Sequence, residues 1–162
     1  MHNILIGVMG PGENADRQDM DLAFLLGKRI AQEGWTLLSG GRNAGVMDAV
    51  NRGAKEAGGL TVGIIPDKDT NRASQFLDIA ILTDMGSARN NINVLSSKIV
   101  VACGKGEAGT VSEIALAIKA KKQVILLGAH LEVEKAMQLI GKHLVTVAQT
   151  VEDVIQQIKQ LV

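Results

Sequence analysis

KIVVACGKGEAGTVSEIALAIK, residues 98–119, reads as an apolar strand from Ile99 to Cys103, a loop holding Gly104, Gly106 and Gly109, and a helix opened by Thr110. Glycines let a backbone turn sharply and approach a ligand with no Cβ in the way. The first N–H groups of a helix lack intrahelical acceptors and point outward as anion donors. The stretch is therefore either a phosphate-type seat or a glycine turn that only reverses the chain. Working outward, Trp35 to Ala57 repeats the plan: a strand ending in Ser39, glycines at 40, 41 and 45, then a helix with Met47 on its first turns. A third instance opens the chain, where an apolar run from Asn3 to Val8 ends in MGPGENA with Gly10 and Gly12 in the turn.

The remaining segments alternate in the same way. Apolar positions recur at helical spacing from Asp16 to Glu33, with Asn14 or Asp16 as the cap and Gly34 as the stop. A helix from Ala44 to Ala57 ends at Gly58-Gly59, and a strand from Leu60 to Ile65 is broken by Pro66. Residues 67–74, DKDTNRAS, are the most polar stretch and read as a surface excursion or a mobile lid. Ile79 to Leu82 is a fourth strand, and Ser87-Ala88-Arg89 opens a helix that reaches Ser96, with Ser87 as its cap. After the opening stretch come a strand in QVILLG, a helix from Glu132 to Ile140, a strand in LVTVA, and a helix from Thr150 to Leu161 with Thr150 capping. Short apolar runs alternating with amphipathic helices predict a three-layer, Rossmann-like α/β fold. It has a mostly parallel sheet of about seven strands with helices on both faces. In such sheets ligands sit beyond the strand C-termini, where all three glycine turns fall.

The 162 residues fit a single domain over 1–162. Hydrophobic residues make up 46% and aromatic ones 2%, so the core must be aliphatic. Seventeen basic residues balance seventeen acidic ones, which argues against a nucleic-acid or membrane partner recognised by bulk charge. One cysteine, Cys103, rules out an intrachain disulfide and suits a reducing compartment. MHNILIGVMG lacks the basic head and long apolar run of a signal peptide, so a cytoplasmic soluble protein is expected.

Residues 104–109 match GxGxxG, but the dinucleotide reading fails on its partner: QVILLG runs into Gly128, Ala129 and His130, where an acidic residue would be needed. No GxxxxGK[ST] occurs. Glu113 lies one helical turn past Thr110; it either accepts hydrogen bonds from a ligand or acts as a base, or closes a capping box. Arg89 offers a fork for phosphate or carboxylate, against the alternative of a solvated first-turn arginine. Cys103 reads as a small core residue, Met47 as core or pocket wall, and His2, His130 and His143 lack metal-ligand spacing.

SGGRNAGVMDAVNRGAKEAGG, then Arg89, then GKGEAGTVSEIALAIKAKKQVILLG together resemble a Rossmann-like superfamily once described as possible lysine decarboxylases. It includes the Lonely Guy cytokinin-activating phosphoribohydrolases and the molybdenum cofactor carrier proteins. The hydrolase branch carries PGGxGTxxE and an upstream Arg-Lys pair. Gly106, Gly109, Thr110, Glu113 and Arg89 fit those patterns, whereas Lys105, Glu107 and Asn90 depart from them. The resemblance therefore leans to the carrier branch. It implies non-catalytic binding, storage and protection of molybdenum cofactor, a small anionic ligand, on a homo-oligomer, dimeric or tetrameric. Molybdoenzymes or cofactor-synthesis proteins are the protein partners it implies. The site it implies draws on Gly10, Gly12, Ser39, Gly40, Gly41, Gly45, Met47, Gly104, Gly106, Gly109, Thr110 and Glu113, with no metal-ligating side chain. Val111, Ile114, Ala115, Leu116 and Ile118 spread around much of their helix, as at a subunit interface. The alternatives are a nucleoside-monophosphate phosphoribohydrolase using Arg89 and Glu113, and a nucleotide-ligand sensor with neither activity.

Overall fold

The computed structural model describes residues 4–162. Its strands are β1 (Leu5–Met9), β2 (Thr36–Ser39), β3 (Thr61–Ile65), β4 (Ile79–Leu82), β5 (Ile99–Cys103), β6 (Gln123–Leu127) and β7 (Val145–Ala148). They form one sheet in the order β4-β3-β2-β1-β5-β6-β7, and every pairing is parallel rather than mostly so. Asn3, the expected start of the first strand, lies outside the described residues. Five helices join the strands and a sixth follows β7: α1 (Arg17–Gln32), α2 (Gly45–Glu56), α3 (Asn90–Ser96), α4 (Ala108–Lys119), α5 (Leu131–Gly141) and α6 (Val151–Leu161).

Parallel strands covered on both faces need apolar residues at every position, and the alternation of the strands divides them between two cores. Ile6, Val8, Val101, Cys103, Ile125 and Leu127 pack on one face against α1, α2 and α6. Met9, Leu38, Val100, Ala102, Val124 and Leu126 pack on the other against α3, α4 and α5. Each large aliphatic side chain fully buried here contributes roughly 1.5–3 kcal/mol. Helices α1 and α2 approach backbone to backbone: a Cβ on Gly27 would lie 3.0 Å from the Ala54 nitrogen, and one on Gly53 would lie 3.1 Å from the Phe24 Cα. That contact fixes α2 beside β1, with its N-terminus at the loop that follows the strand.

Asp16 is the cap of α1 and Thr150 the cap of α6, each closing a capping box with the acidic residue at the third helical position. Three expectations need correction. Helix α4 begins at Ala108 with Glu107 as its N-cap, so Thr110 is its third residue rather than its opener. Ser87 caps nothing; it lies in a 3-10 turn, Gly86–Arg89, which precedes α3. Residues 67–74 are not a free lid, because an antiparallel bridge joins Arg42 to Ala73. Ser74 N–H also donates to Gly41 O at 2.8 Å, and Asn43 N–H to Arg72 O at 2.9 Å.

No helix lies in the connection from β3 to β4. Strand β4 therefore stays open, with Ile79, Ile81 and Leu82 each more than two-fifths exposed at the sheet edge. No helix among the described residues is long and apolar enough to cross a membrane.

Candidate functional site

Strand order reverses between β1 and β5, because the chain moves outward through β2 to β4 and then returns to lie on the other side of β1. Helices α1 and α4, which follow these two strands, cover opposite faces. The loops that lead into them diverge and leave a crevice at the strand C-termini. A cavity of about 290 Å³ occupies it. It is lined from β1 and its loop (Val8, Met9, Gly10, Gly12), from β2 and α2 (Gly40, Arg42, Met47), from Pro66, from the 3-10 turn and α3 (Gly86, Ser87, Arg89, Asn90), and from the α4 side (Glu107, Gly109, Thr110, Glu113).

Of the residues singled out from sequence, Gly10, Gly12, Gly40, Met47, Arg89, Gly109, Thr110 and Glu113 meet in this cavity. The others support its walls from behind. Ser39 is buried; its hydroxyl donates to Asn51 Oδ1 at 3.0 Å and accepts the Gly41 N–H at 3.1 Å, which shapes the turn after β2. Gly45 has φ of +54°, a backbone that side chains rarely adopt, and the next N–H, of Val46, donates to Pro11 O at 2.9 Å. Gly104, with φ of +105°, sends its N–H to Leu127 O at 2.9 Å and turns the chain off β5. Gly106 has φ of +99°, and a Cβ there would lie 3.4 Å from Val133.

Glu113 is 6% exposed and forms no capping box; its Oε1 accepts from Asn93 Nδ2 at 3.1 Å and lies 3.9 Å from Arg89 Nη1. Burial pushes its carboxyl up to about 7, outweighing the Asn93 hydrogen bond and the Arg89 charge that oppose the rise. Arg89 is buried too, not solvated: it donates to Asn90 Oδ1 and, at 3.3 Å, to Gly40 O. Burial draws its pKa down, Glu113 resists, and the neighbouring charge of Arg42 adds to the fall. A Cβ on Gly40 would lie 2.7 Å from both Arg89 Nη2 and Met47 Sδ, so a glycine there makes the space they fill.

Two neighbours of the glycine loop behave differently from each other. Lys105 turns away from the cavity to pair with Asp16, while its N–H donates to Asp19 Oδ1 at 3.2 Å. Asp16 is held below its ordinary value chiefly by that lysine. Glu107 does face the cavity, adding a carboxylate beside the start of α4. Cys103 is fully buried and its thiol is pushed up to about 12 by burial and by Asp19, so it is an inert core residue. No group of three or more His, Cys, Asp or Glu suited to hold a metal ion is found among the described residues.

Sequence reasoning passed over Arg42 and Asn93, and noted Asn90 only as a departure from the hydrolase pattern. Arg42 stands directly after the glycine pair in SGGR, and its Nη2 donates to both carboxylate oxygens of Asp67, at 3.0 and 3.2 Å. Around this crevice several buried polar atoms have no protein partner: Arg42 Nε, Arg89 Nε, Asn93 Oδ1 and Thr110 Oγ1. Buried polar groups are normally paired; Arg42 Nε, Arg89 Nε and Thr110 Oγ1 are donors free for a ligand's acceptor atoms, whereas Asn93 Oδ1 can only accept.

Comparison with known proteins identifies the relatives of the whole chain. A protein described as the molybdenum cofactor binding protein from the phototrophic bacterium Rippkaea orientalis has the same fold with a TM-score of 0.96, at 51% identity over 99% of this chain and 98% of that one. The Moco carrier protein from Chlamydomonas reinhardtii follows with a TM-score of 0.93 and 50% identity, over 99% and 98% of the two chains. A cytokinin riboside 5'-monophosphate phosphoribohydrolase from Mycobacterium tuberculosis is 36% identical over 97 residues, which span 59% of this chain and 51% of that one. A family model for the SLOG cluster4 family matches residues 3–155, and the chain belongs to that family.

Proposed function

We propose that this protein binds, stores and protects molybdenum cofactor without transforming it. The observation that carries the reading is the set of unpartnered buried donors, Thr110 Oγ1, Arg89 Nε and Arg42 Nε, around a cavity at the sheet's switch point. The likeness at about half identity over nearly the whole chain to proteins that bind or carry this cofactor supports it. A pterin with a terminal phosphate and an oxo-metal end is rich in acceptors, and donors left unpaired by the protein match it. The free N–H groups at the start of α4, with Thr110 Oγ1, would take the phosphate. Val8, Met9, Met47 and Pro66 provide apolar wall that keeps water from the part of the ligand between its anionic ends. The lining contains no cysteine or histidine, and its sulfur comes from the thioethers of Met9 and Met47.

Anaerobic titration of the purified protein with the cofactor should show saturable binding and slower cofactor oxidation. Protection no better than that given by a control protein of equal concentration would end this reading. A second reading has its own support: a buried carboxyl at about 7 beside an arginine is suited to general acid–base work on a nucleoside monophosphate. Release of free base from AMP, abolished in Glu113→Gln, would establish it. A cytoplasmic location and a homo-oligomer complete the proposal. Leu95 on α3 is 54% exposed beside α4, where Ala115 is also exposed, and this face is the candidate subunit contact. Sedimentation that gives a monomer at micromolar concentration would remove the oligomer.

A further inference from the structure

The cavity's two arginines are arranged with more care than a phosphate seat at α4 requires. Arg42 leaves the turn after β2, and the strap of residues 67–74 fixes its backbone through the bridge to Ala73 and the bonds on either side of it. Its side chain spends one nitrogen, Nη2, on Asp67, although an arginine facing a carboxylate can present two. Nε is left buried and unpaired. Arg89 shows the same economy: Nη1 goes to Asn90, Nη2 to Gly40 O, and Nε is again buried without a partner. The two guanidinium groups are close enough that Arg42 makes Arg89 harder to protonate. Like charges gathered in a buried place repel each other unless an anion joins them.

We propose that Arg42 and Arg89 form a second oxyanion seat, separate from the one at the N-terminus of α4, with Asp67 holding Arg42 in position and competing with the incoming anion. The proposal rests on the carrier reading of the cavity and sharpens it. The ligand has two anionic ends, one at Thr110 and the other at the arginine pair. The chemistry recognised is a compact oxyanion, borne either on a phosphate or on an oxo-metal centre. Planar forks with unspent N–H groups suit such groups, and the opposing charges around them keep the empty seat stable. Those opposing charges are Asp67 from the strap, Glu113 from α4, and Glu107 at the helix cap.

Calorimetric titration of the full chain with sodium tungstate tests this at the level of stoichiometry. Two ions per chain are expected for the unaltered protein, one for Arg42→Gln, one for Thr110→Val and none for the double variant. Asp67→Asn keeps a side chain that can position Arg42 but removes the competing charge, so it should tighten tungstate at the arginine seat about fivefold. A merely structural Asp67 would loosen it. If Arg42→Gln fails to fold by circular dichroism, Arg42→Lys takes its place, with the second ion retained at weaker affinity because the fork is lost. A single ion per chain, abolished equally by Arg42→Gln and Thr110→Val, would overturn the proposal by showing one shared seat. So would weaker tungstate binding in Asp67→Asn. Competition with inorganic phosphate separates the sources: displacement at the arginine seat assigns it to phosphate, resistance to an oxo-metal end, and either result upholds the seat. Absence of tungstate binding refutes the two-seat arrangement alone, because the carrier reading stands or falls on cofactor titration.

Discussion

Replacing Glu113 by glutamine should change how stability depends on pH, and the direction follows from burial. The carboxyl is 6% exposed, and the folded state raises its pKa from 4.5 to about 7. Folded protein thus prefers the neutral acid. The contribution from this group is fully present below about 4.5 and is lost as pH rises through about 7. The gap between those values, at about 1.4 kcal/mol per pH decade, amounts to about 3 kcal/mol. For a protein whose whole stability is on the order of 5–15 kcal/mol, that is a sizeable share. Glutamine has nearly the shape of the neutral acid and no proton to lose, and it can still accept from Asn93. Glu113→Gln should therefore match the unaltered protein near pH 4.5 and exceed it by up to about 3 kcal/mol at pH 8. Urea unfolding at half-unit steps from pH 4.5 to 8 measures this directly. A difference between the two proteins that stays constant across the range would refute the claim that burial outweighs the 3.9 Å Arg89 contact.

Gly40→Ala should fold normally but push the Arg89 guanidinium out of the cavity, since its Cβ would stand 2.7 Å from Nη2. Loss of one charge-assisted hydrogen bond, about 1.5–3 kcal/mol, should weaken anion binding roughly tenfold to hundredfold by calorimetry. Gly53→Ala should lower the unfolding free energy measured with urea by about 1–3 kcal/mol, although alanine is the better helix former, because the added carbon meets the backbone of α1 at Phe24. Cys103 should resist a maleimide at pH 8 in the folded protein and react at once in urea, followed by mass spectrometry. Rapid labelling of the folded protein would show that β5 opens far more readily than its burial implies.

Much of the fold could be read from the sequence because parallel strands covered on both faces leave unbroken apolar runs, and seven such runs stand out. Even β4 was legible, from IAIL, although the strand is open to solvent. The start of α4 was not, because its N-cap is Glu107 in an extended conformation with no side-chain cap bond, while Thr110 carries the cap-like chemistry three residues on. Glu113 and Arg89 were found by spacing, yet their burial depends on the 3-10 turn that brings Arg89 beneath Gly40, a tertiary fact with no local signal. Arg42 was hidden for a related reason. Its role depends on Asp67, twenty-five positions away, and on a strap tied down by backbone bonds to residues 41–43, where polarity alone pointed to a loose excursion.

The two departures from the hydrolase loop now have separate physical meanings. Lys105, standing where that branch carries proline, is not part of the cavity lining and binds the glycine loop to α1 through Asp16. It replaces the rigidity of a ring with an ion pair and a main-chain bond to Asp19. Glu107 acts on the cavity itself, placing a carboxylate at the positive end of α4, which weakens the pull of the helix on an anion. With Glu113 and Asp67 it sets three carboxyl groups against two arginines. A ligand bound there would therefore be held by directed N–H groups and orphaned donors more than by net charge. That balance is what the proposed carrier role requires, because an uncompensated cationic pocket would bind an oxyanion too tightly to release it.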